Sequence, residues 1–270
     1  MRRLALSLMI LAPSVLAEGH HDAHGALDWN TALLGEHRSD ANKVRDTHRH
    51  PQETLTFFGM TPSMTVLEVS PGGGWYTEVL APLLSQHGKL VAGHGSPNGS
   101  AYSRRSLGRY LQKLGENSDV YSGVDVRVMQ PPQQPIDIAA DSVDLAVVFR
   151  NVHSWLRADN ADAALADIFR ALKPGGTLGI VQHRGAEDIS VDEMKRRAYV
   201  PESKVIALAE SAGFVLDAKS EVNANAKDTK DYPRGVWTLP PSFTEGEKDR
   251  AKYAAIGESD RMTLRFSKPQ

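Results

Sequence analysis

The chain has no cysteine. It can therefore form no disulfide and no cysteine zinc site, and it has no cysteine to carry a lipid at an export cleavage site. It also has little charge of one sign, with a formal net charge of −2. A mildly acidic chain is a poor ligand for a nucleic-acid backbone, so no nucleic-acid partner is expected. The short basic clusters Arg104-Arg105 and Lys195-Arg196-Arg197 read as solvated faces. No phosphate-cradling G-x-x-x-x-G-K-[ST] is present, and no Ser-His-Asp order, zinc spacing or carboxylate dyad stands out. There is no internal repeat, and beyond the first residues no apolar stretch approaches membrane length.

The remainder is of ordinary globular composition, 41% hydrophobic and 24% charged over 270 residues, enough to bury a proper core. The first residues differ. Arg2 and Arg3 precede an apolar run from Leu4 to Leu11, followed by Pro13 and the small-residue site Val15-Leu16-Ala17. This is the three-part pattern of a secretory signal, with cleavage expected after Ala17. The mature chain is then expected to be periplasmic or secreted and free of the membrane. Its formal charge would move from −2 to −4 as Arg2 and Arg3 are lost. Cleavage would leave Glu18-Gly19-His20 at the amino terminus. The amine, two backbone nitrogens and the His20 imidazole can offer Cu(II) four nitrogens in one plane, an adventitious site that needs no fold. Residues 1–17 are thus read as a signal peptide, 18–60 as a tail and helical extension, and 61–270 as the main domain.

From Met64 onward strands and helices alternate, which implies a doubly wound α/β sheet. Thr65–Val69, Lys89–Ala92, Val124–Met129, the continuous apolar run Val143–Phe149, "TLGIVQH", Phe214–Val222 and Met262–Phe266 are the strand candidates. Apolar residues at 75, 76, 79, 80, 83 and 84 mark one face of a helix that Pro82 should kink or shorten. Asp159 is placed to cap a helix carrying Leu165, Ile168, Phe169 and Leu172. Gly213 stops another helix that runs from Ser203 to Ala212.

The stretch "VLEVSPGGGWYTE" sets the functional question. Glycines after a first strand let a ligand approach bare backbone at a helix N-terminus. A nicotinamide fingerprint G-x-G-x-x-G/A is incomplete, because Thr77 stands in its third position. A tight turn with no ligand uses the same residues, so the turn alone leaves both readings open.

"VLEVSPGGGWYTE", "VDLAVVFRNVHSW", "FRALKPGGTLGIVQH" and "SAGF" followed by a late "MTLRF" together resemble a class I S-adenosylmethionine-dependent methyltransferase, from about Met64 to the C-terminus. The likeness is closest to an exported group of predicted methyltransferases carrying "PGGGWYTE", "RNVHSW", "WTLPPSF" and "IGESDRMTLRF". It implies a seven-stranded Rossmann-like sheet with an antiparallel last strand and S-adenosylmethionine across strands one to four. Glu68, Ser70, Gly72, Gly73 and Gly74 then fall in the first cofactor motif, with Ser70 in place of its usual first glycine. His94 stands where an acid normally holds the ribose, and Gln130 where one normally meets the adenine.

The end of strand four faces the transferable methyl in this family. There His153 is expected as general base, with a reference pKa near 6.5, Asn151 as orienter of a polar acceptor, and Trp155 as a wall. His183, after strand five, is a weaker candidate of the same kind. "RDTHRHP" (Arg45 to Pro51) reads as a charged helix face, with a lid over the site as the other possibility. "WTLPPSF" reads as a loop packed on the sheet edge. The function implied is an exported methyltransferase with an unknown small-molecule acceptor. The alternative is a non-catalytic ligand-binding or sensor protein on the same scaffold.

Overall fold

The computed structural model describes residues 26–270. The expected signal sequence and His20, with its Cu(II) site, lie outside the described residues. Among the described residues no helix is long and apolar enough to cross a membrane.

Seven strands form one sheet: β1 (Thr65–Val69), β2 (Lys89–His94), β3 (Val124–Val128), β4 (Val143–Phe149), β5 (Leu172–His183), β6 (Val215–Ser220) and β7 (Arg261–Ser267). Their order is β3-β2-β1-β4-β5-β7-β6. β1 to β5 are parallel, while β7 runs antiparallel to both β5 and β6. β1, β2, β4 and β5 are largely buried on both faces, whereas β3 and β6, at the sheet edges, are only partly buried. Leu67, Val69, Ala146 and Val148 face one core layer, with Leu165 and Ile168 of the helix Ala161–Ala171. Val66, Leu145 and Val147 face the other, with Val79 and Leu80 of the helix Thr77–Leu84. Pro82 lies in the last turn of that helix, which ends two residues later.

The N-terminal extension folds as four short helices, Trp29–Leu34, Asp40–Lys43, Asp46–Arg49 and Pro51–Phe57. Its Ala32, Leu55 and Phe58 enter the second core layer. Polar anchors reinforce this packing. Arg38, only 2% exposed, pairs with Asp46 at 2.7 Å, and Asn42 donates to Glu78 at 2.8 Å.

Two sequence expectations need correction. Asp159 does not cap the helix that follows it. It sits in the left-handed conformation (φ 55°) that ends an unforeseen helix, Val152–Ala158. Asn160 precedes the helix Ala161–Ala171 instead, without a side-chain cap. "WTLPPSF" does not pack on the sheet edge. It begins in the short 3-10 helix Gly235–Thr238, and its Trp237, Pro240, Pro241 and Ser242 line a cavity beyond the strand ends.

The chain leaves β1 toward β3, then returns to place β4 on the other side of β1. The strand order therefore switches between β1 and β4. Open α/β sheets bind ligands at that crevice, beyond the carboxyl ends of the strands.

Candidate active site

A cavity of about 410 Å³ opens at the switch point, within the range of small-ligand pockets. Its floor is the end of β1 and the glycine turn, its far wall the ends of β4 and β5. The N-terminal extension and the Trp237–Ser242 loop close it from above.

The turn explains most of its own residues. Ser70 has φ 50°, so a left-handed backbone survives there although the side chain is not glycine, at a cost of about 1–2 kcal/mol. Gly72 and Gly74 also have positive φ, 62° and 78°. At Gly74 a Cβ would press on Lys113 and Tyr110 at 3.0 and 3.1 Å. Gly73 is different. Its φ needs no glycine, and a Cβ there would meet nothing within 4 Å. No protein atom accounts for its bareness.

Glu68 is buried at the end of β1 and accepts the Thr77 hydroxyl at 2.6 Å. Burial raises its pKa from 4.5 to about 7, while hydrogen bonds from Thr77 work the other way. A folded pKa above the unfolded one means that the contribution is fully present below pH 4.5 and is lost as pH rises through 7. The loss amounts to about 2–3 kcal/mol between pH 5 and 8. Glu68→Gln is expected to remove it. Urea unfolding at pH 5 and 8 should show a smaller fall in the variant by that amount, and equal falls in both proteins would place the titration elsewhere.

His94 and Gln130 are not in the cavity wall. His94 Nε2 lies 3.3 Å from the Gly72 carbonyl, and its ring faces Tyr110 at 5.3 Å. The Gln130 side-chain oxygen accepts the Ser96 amide at 3.2 Å. Both are spent on holding loops, and neither supplies the carboxylate that the family uses there.

At the end of β4, Asn151 donates its amide to the Val69 carbonyl at 2.8 Å. It ties the ends of β1 and β4 together and lines the cavity, with its second N–H and its side-chain oxygen uncommitted among the described residues. His153 lies in the first turn of Val152–Ala158 and lines the cavity. Burial, then the charge of Arg157, lowers its pKa from 6.5 to about 4, although Gln182 opposes the shift. Gln182 Nε2 approaches His153 Nδ1 at 3.3 Å and also donates to the Ala198 carbonyl at 3.1 Å, which fixes the amide's orientation. Nδ1 is therefore the acceptor, and the neutral ring carries its proton on Nε2. In this tautomer His153 has a donor at Nε2, whereas the expected role as base needs a free lone pair. Trp155 is buried in the first core layer rather than the cavity wall; Trp237 supplies an aromatic wall instead, 6.0 Å from the His153 ring.

His183 ends β5, 5.5 Å from His153 ring to ring. Its Nδ1 meets the Ser259 hydroxyl at 2.5 Å. Burial, then the His153 ring and the charge of Arg261, holds its pKa well below the usual value, so the ring is neutral and one nitrogen keeps a lone pair. "RDTHRHP" is more than a charged face. Its Arg45 and Arg49 form part of the cavity wall, joined by Glu258 and Ser259 just before β7 and by Arg261, its first residue. Sequence reading missed this group, because its members come from opposite ends of the chain, with Glu258 lying 213 residues after Arg45. The one local hint was Glu258 three residues before Arg261 in "GESDR".

Residues 67–180, which hold the glycine turn, the end of β4 and most of β5, match the methyltransferase domain family. That segment is similar to the class I S-adenosylmethionine-dependent methyltransferase superfamily, as the sequence resemblance implied. S-adenosylmethionine is the cofactor of that superfamily. Its fold is shared with a SAM-dependent methyltransferase from Aquifex aeolicus at 18% identity and TM-score 0.55, over 86% of this chain and 100% of the other. The N-methyltransferase NodS from Bradyrhizobium japonicum is similar at 16% identity and TM-score 0.51, covering 84% and 97%. So is the [4+2]-cyclase SpnF, at 17% identity and TM-score 0.55, covering 82% and 80%. No curated protein matches the chain. At these identities the structures speak for the fold alone, and SpnF carries a different reaction in its name.

Proposed function

We propose that the chain transfers a methyl group from S-adenosylmethionine to a small acceptor held beyond the ends of β4 and β5. The observation that carries this reading is Gly73: a cavity-lining residue with open space where its side chain would be and no backbone need for glycine. A bound ligand that approaches the main chain supplies the missing reason. When bound, S-adenosylmethionine presents a methyl on a positively charged sulfur, which needs alignment more than activation. Gly72 and Gly73 would lie along it, with Glu68 at the base of the turn. In this reading His153 offers Nε2–H to the acceptor, and His183 is the group with a lone pair for the acceptor's proton.

The reading includes export, which rests on the Arg2-Arg3 start and the Val15/Ala17 pair. Intact mass of protein from its native compartment should then lack residues 1–17, and a full-length main species would overturn export. His94 and Gln130 favour a second reading, a ligand-binding protein on the same scaffold, since two cofactor-holding carboxylates are missing. Titration calorimetry with S-adenosylhomocysteine separates the two. Saturable binding of one molecule per chain is expected, and no heat at millimolar concentration would leave the scaffold reading.

A further inference from the structure

Guanidinium groups dominate the cavity wall away from the glycine turn. Arg45 and Arg49 reach Glu258 at 2.7 and 3.0 Å, and Arg261 pairs with the same carboxylate. One acid thus serves three cations. Arg261 also donates Nη1 to the His48 carbonyl at 3.0 Å, and Arg49 lies over the Trp75 ring at 4.5 Å, but other donors are left over. Arg49, only 4% exposed, has Nη1 buried without a partner among the described residues, as does Nε of Arg261. Arg150 lines the same cavity, and its guanidinium makes no hydrogen bond or ion pair with any described residue. Arg150 is also held at φ 62°, a left-handed conformation that costs about 1–2 kcal/mol. Such strain persists where a site needs the side chain placed.

A purely structural role accounts for part of this. Clamping the N-terminal extension to β7 explains Arg45 and the edges of Arg49 and Arg261 that meet Glu258. It does not explain Arg150 or the idle Nη1 of Arg49. Burial first, and then the charges of neighbouring arginines, push down the pKa of Arg49 and, to about 10, that of Arg150. Arginine keeps its proton in such settings, so the remedy is a counter-ion. Glu68, with its raised pKa, contributes little negative charge below neutrality. The cofactor contributes none on balance. S-adenosylmethionine carries a sulfonium, an ammonium and a single carboxylate, and so adds positive charge to a positive cavity. The missing anion belongs to the second substrate.

We propose that the cavity binds an acceptor bearing a small oxyanion, a carboxylate or a phosphate ester, through Arg49, Arg150 and Arg261. The word acceptor rests on the methyl-transfer reading; the anion site rests on the guanidinium groups. Planar forks with idle donors suit such oxyanions, which can take two parallel N–H bonds from one arginine. An anion there also neutralises the field of Arg150 and Arg261 that depresses His183, and so makes that ring a better base while substrate is bound.

The test is titration calorimetry at low ionic strength with inorganic phosphate and with malonate as probes. Wild type should bind at least one of them saturably. R150Q should weaken that binding about 10- to 100-fold, the loss expected for a charge-assisted hydrogen-bonded pair. R150K should recover part of it, and R105Q, at an exposed arginine remote from the cavity, should match wild type. S-adenosylhomocysteine, titrated separately, should bind R150Q within about twofold of wild type, because Arg150 is assigned to the other molecule. No binding of either probe, or equal binding by R150Q and R105Q, would overturn the proposal. So would loss of S-adenosylhomocysteine by R150Q with the probe retained, which would give the arginines to the cofactor's carboxylate. Probe binding that depends on Arg150 in a protein that takes no S-adenosylhomocysteine would leave the anion site standing and remove methyl transfer. Should R150Q fail to fold, phosphate must still protect wild type against urea more than chloride of equal ionic strength does, and equal protection would overturn the site.

Discussion

Glu258→Ala is expected to destabilise the protein by about 3–5 kcal/mol, the usual cost of removing one partner from a buried ion pair. Glu258 is only 2% exposed, and its carboxylate meets Arg45, Arg49 and Arg261. Burial works against its charge, but the guanidinium groups of Arg261, Arg49 and Arg45 outweigh burial and hold the carboxyl well below its ordinary range. Its stabilisation is therefore present above an unfolded pKa of 4.5 and is lost as pH falls through the depressed folded value. The alanine variant should show both effects in urea unfolding. Its midpoint at pH 7 should fall, and part of the wild type's acid sensitivity should be gone. A change under about 1 kcal/mol at pH 7 would mean that the three cations are satisfied by water, and that the extension is held by its apolar contacts alone. The loss should centre on the N-terminal extension, because Arg45 and Arg49 belong to it while Glu258 and Arg261 precede and open β7. Hydrogen exchange would then rise first across residues 40–58.

How far the sequence carries depends on how local each signal is. Thr65–Val69 and Val143–Phe149 coincide with β1 and β4, because strands buried on both faces read as mostly apolar runs, here interrupted after their first residue only by Glu68 and Asp144. The glycine turn was legible for the same reason: a backbone requirement restricts residue type on the spot. The helix Val152–Ala158 was not, since "VHSWLRA" is too short to show a period and its burial depends on packing from elsewhere. Asp159 misled because aspartate serves both as an N-cap and as a residue that tolerates the left-handed conformation; only the preceding helix decides between them. The role of His153 depends on Gln182, which lies 29 residues away and selects the tautomer. The arginines are the extreme case. In sequence they look like solvated charge. Their burial follows from the extension folding across the strand ends, where Arg45 meets an acid 213 residues later.

Gly73→Leu is expected to abolish binding of S-adenosylhomocysteine, by about 100-fold or more, while leaving stability within about 0.5 kcal/mol of wild type. The neighbouring glycines would give a less readable result. Gly72 has φ 62° and Gly74 has φ 78°, so any side chain there strains the backbone, and at Gly74 it also collides with Tyr110 and Lys113. Loss of binding in those variants could not be told apart from a distorted turn. Gly73 has neither problem: its conformation suits an L-residue and its surroundings are empty of protein. Replacing glycine at a compatible position also restricts the unfolded chain, which if anything favours the fold. A leucine there occupies the surface a ligand would touch and nothing else. Calorimetry beside a urea melt reads both quantities on one preparation. Unchanged affinity would show that the bare backbone at Gly73 faces solvent rather than cofactor, and the methyl-transfer reading would lose the observation on which it rests. A large fall in stability would instead mean that the turn packs more tightly than the open space around Gly73 indicates. Gly73→Ala in the urea melt distinguishes that case, because a single methyl group would already meet any hidden contact within the turn.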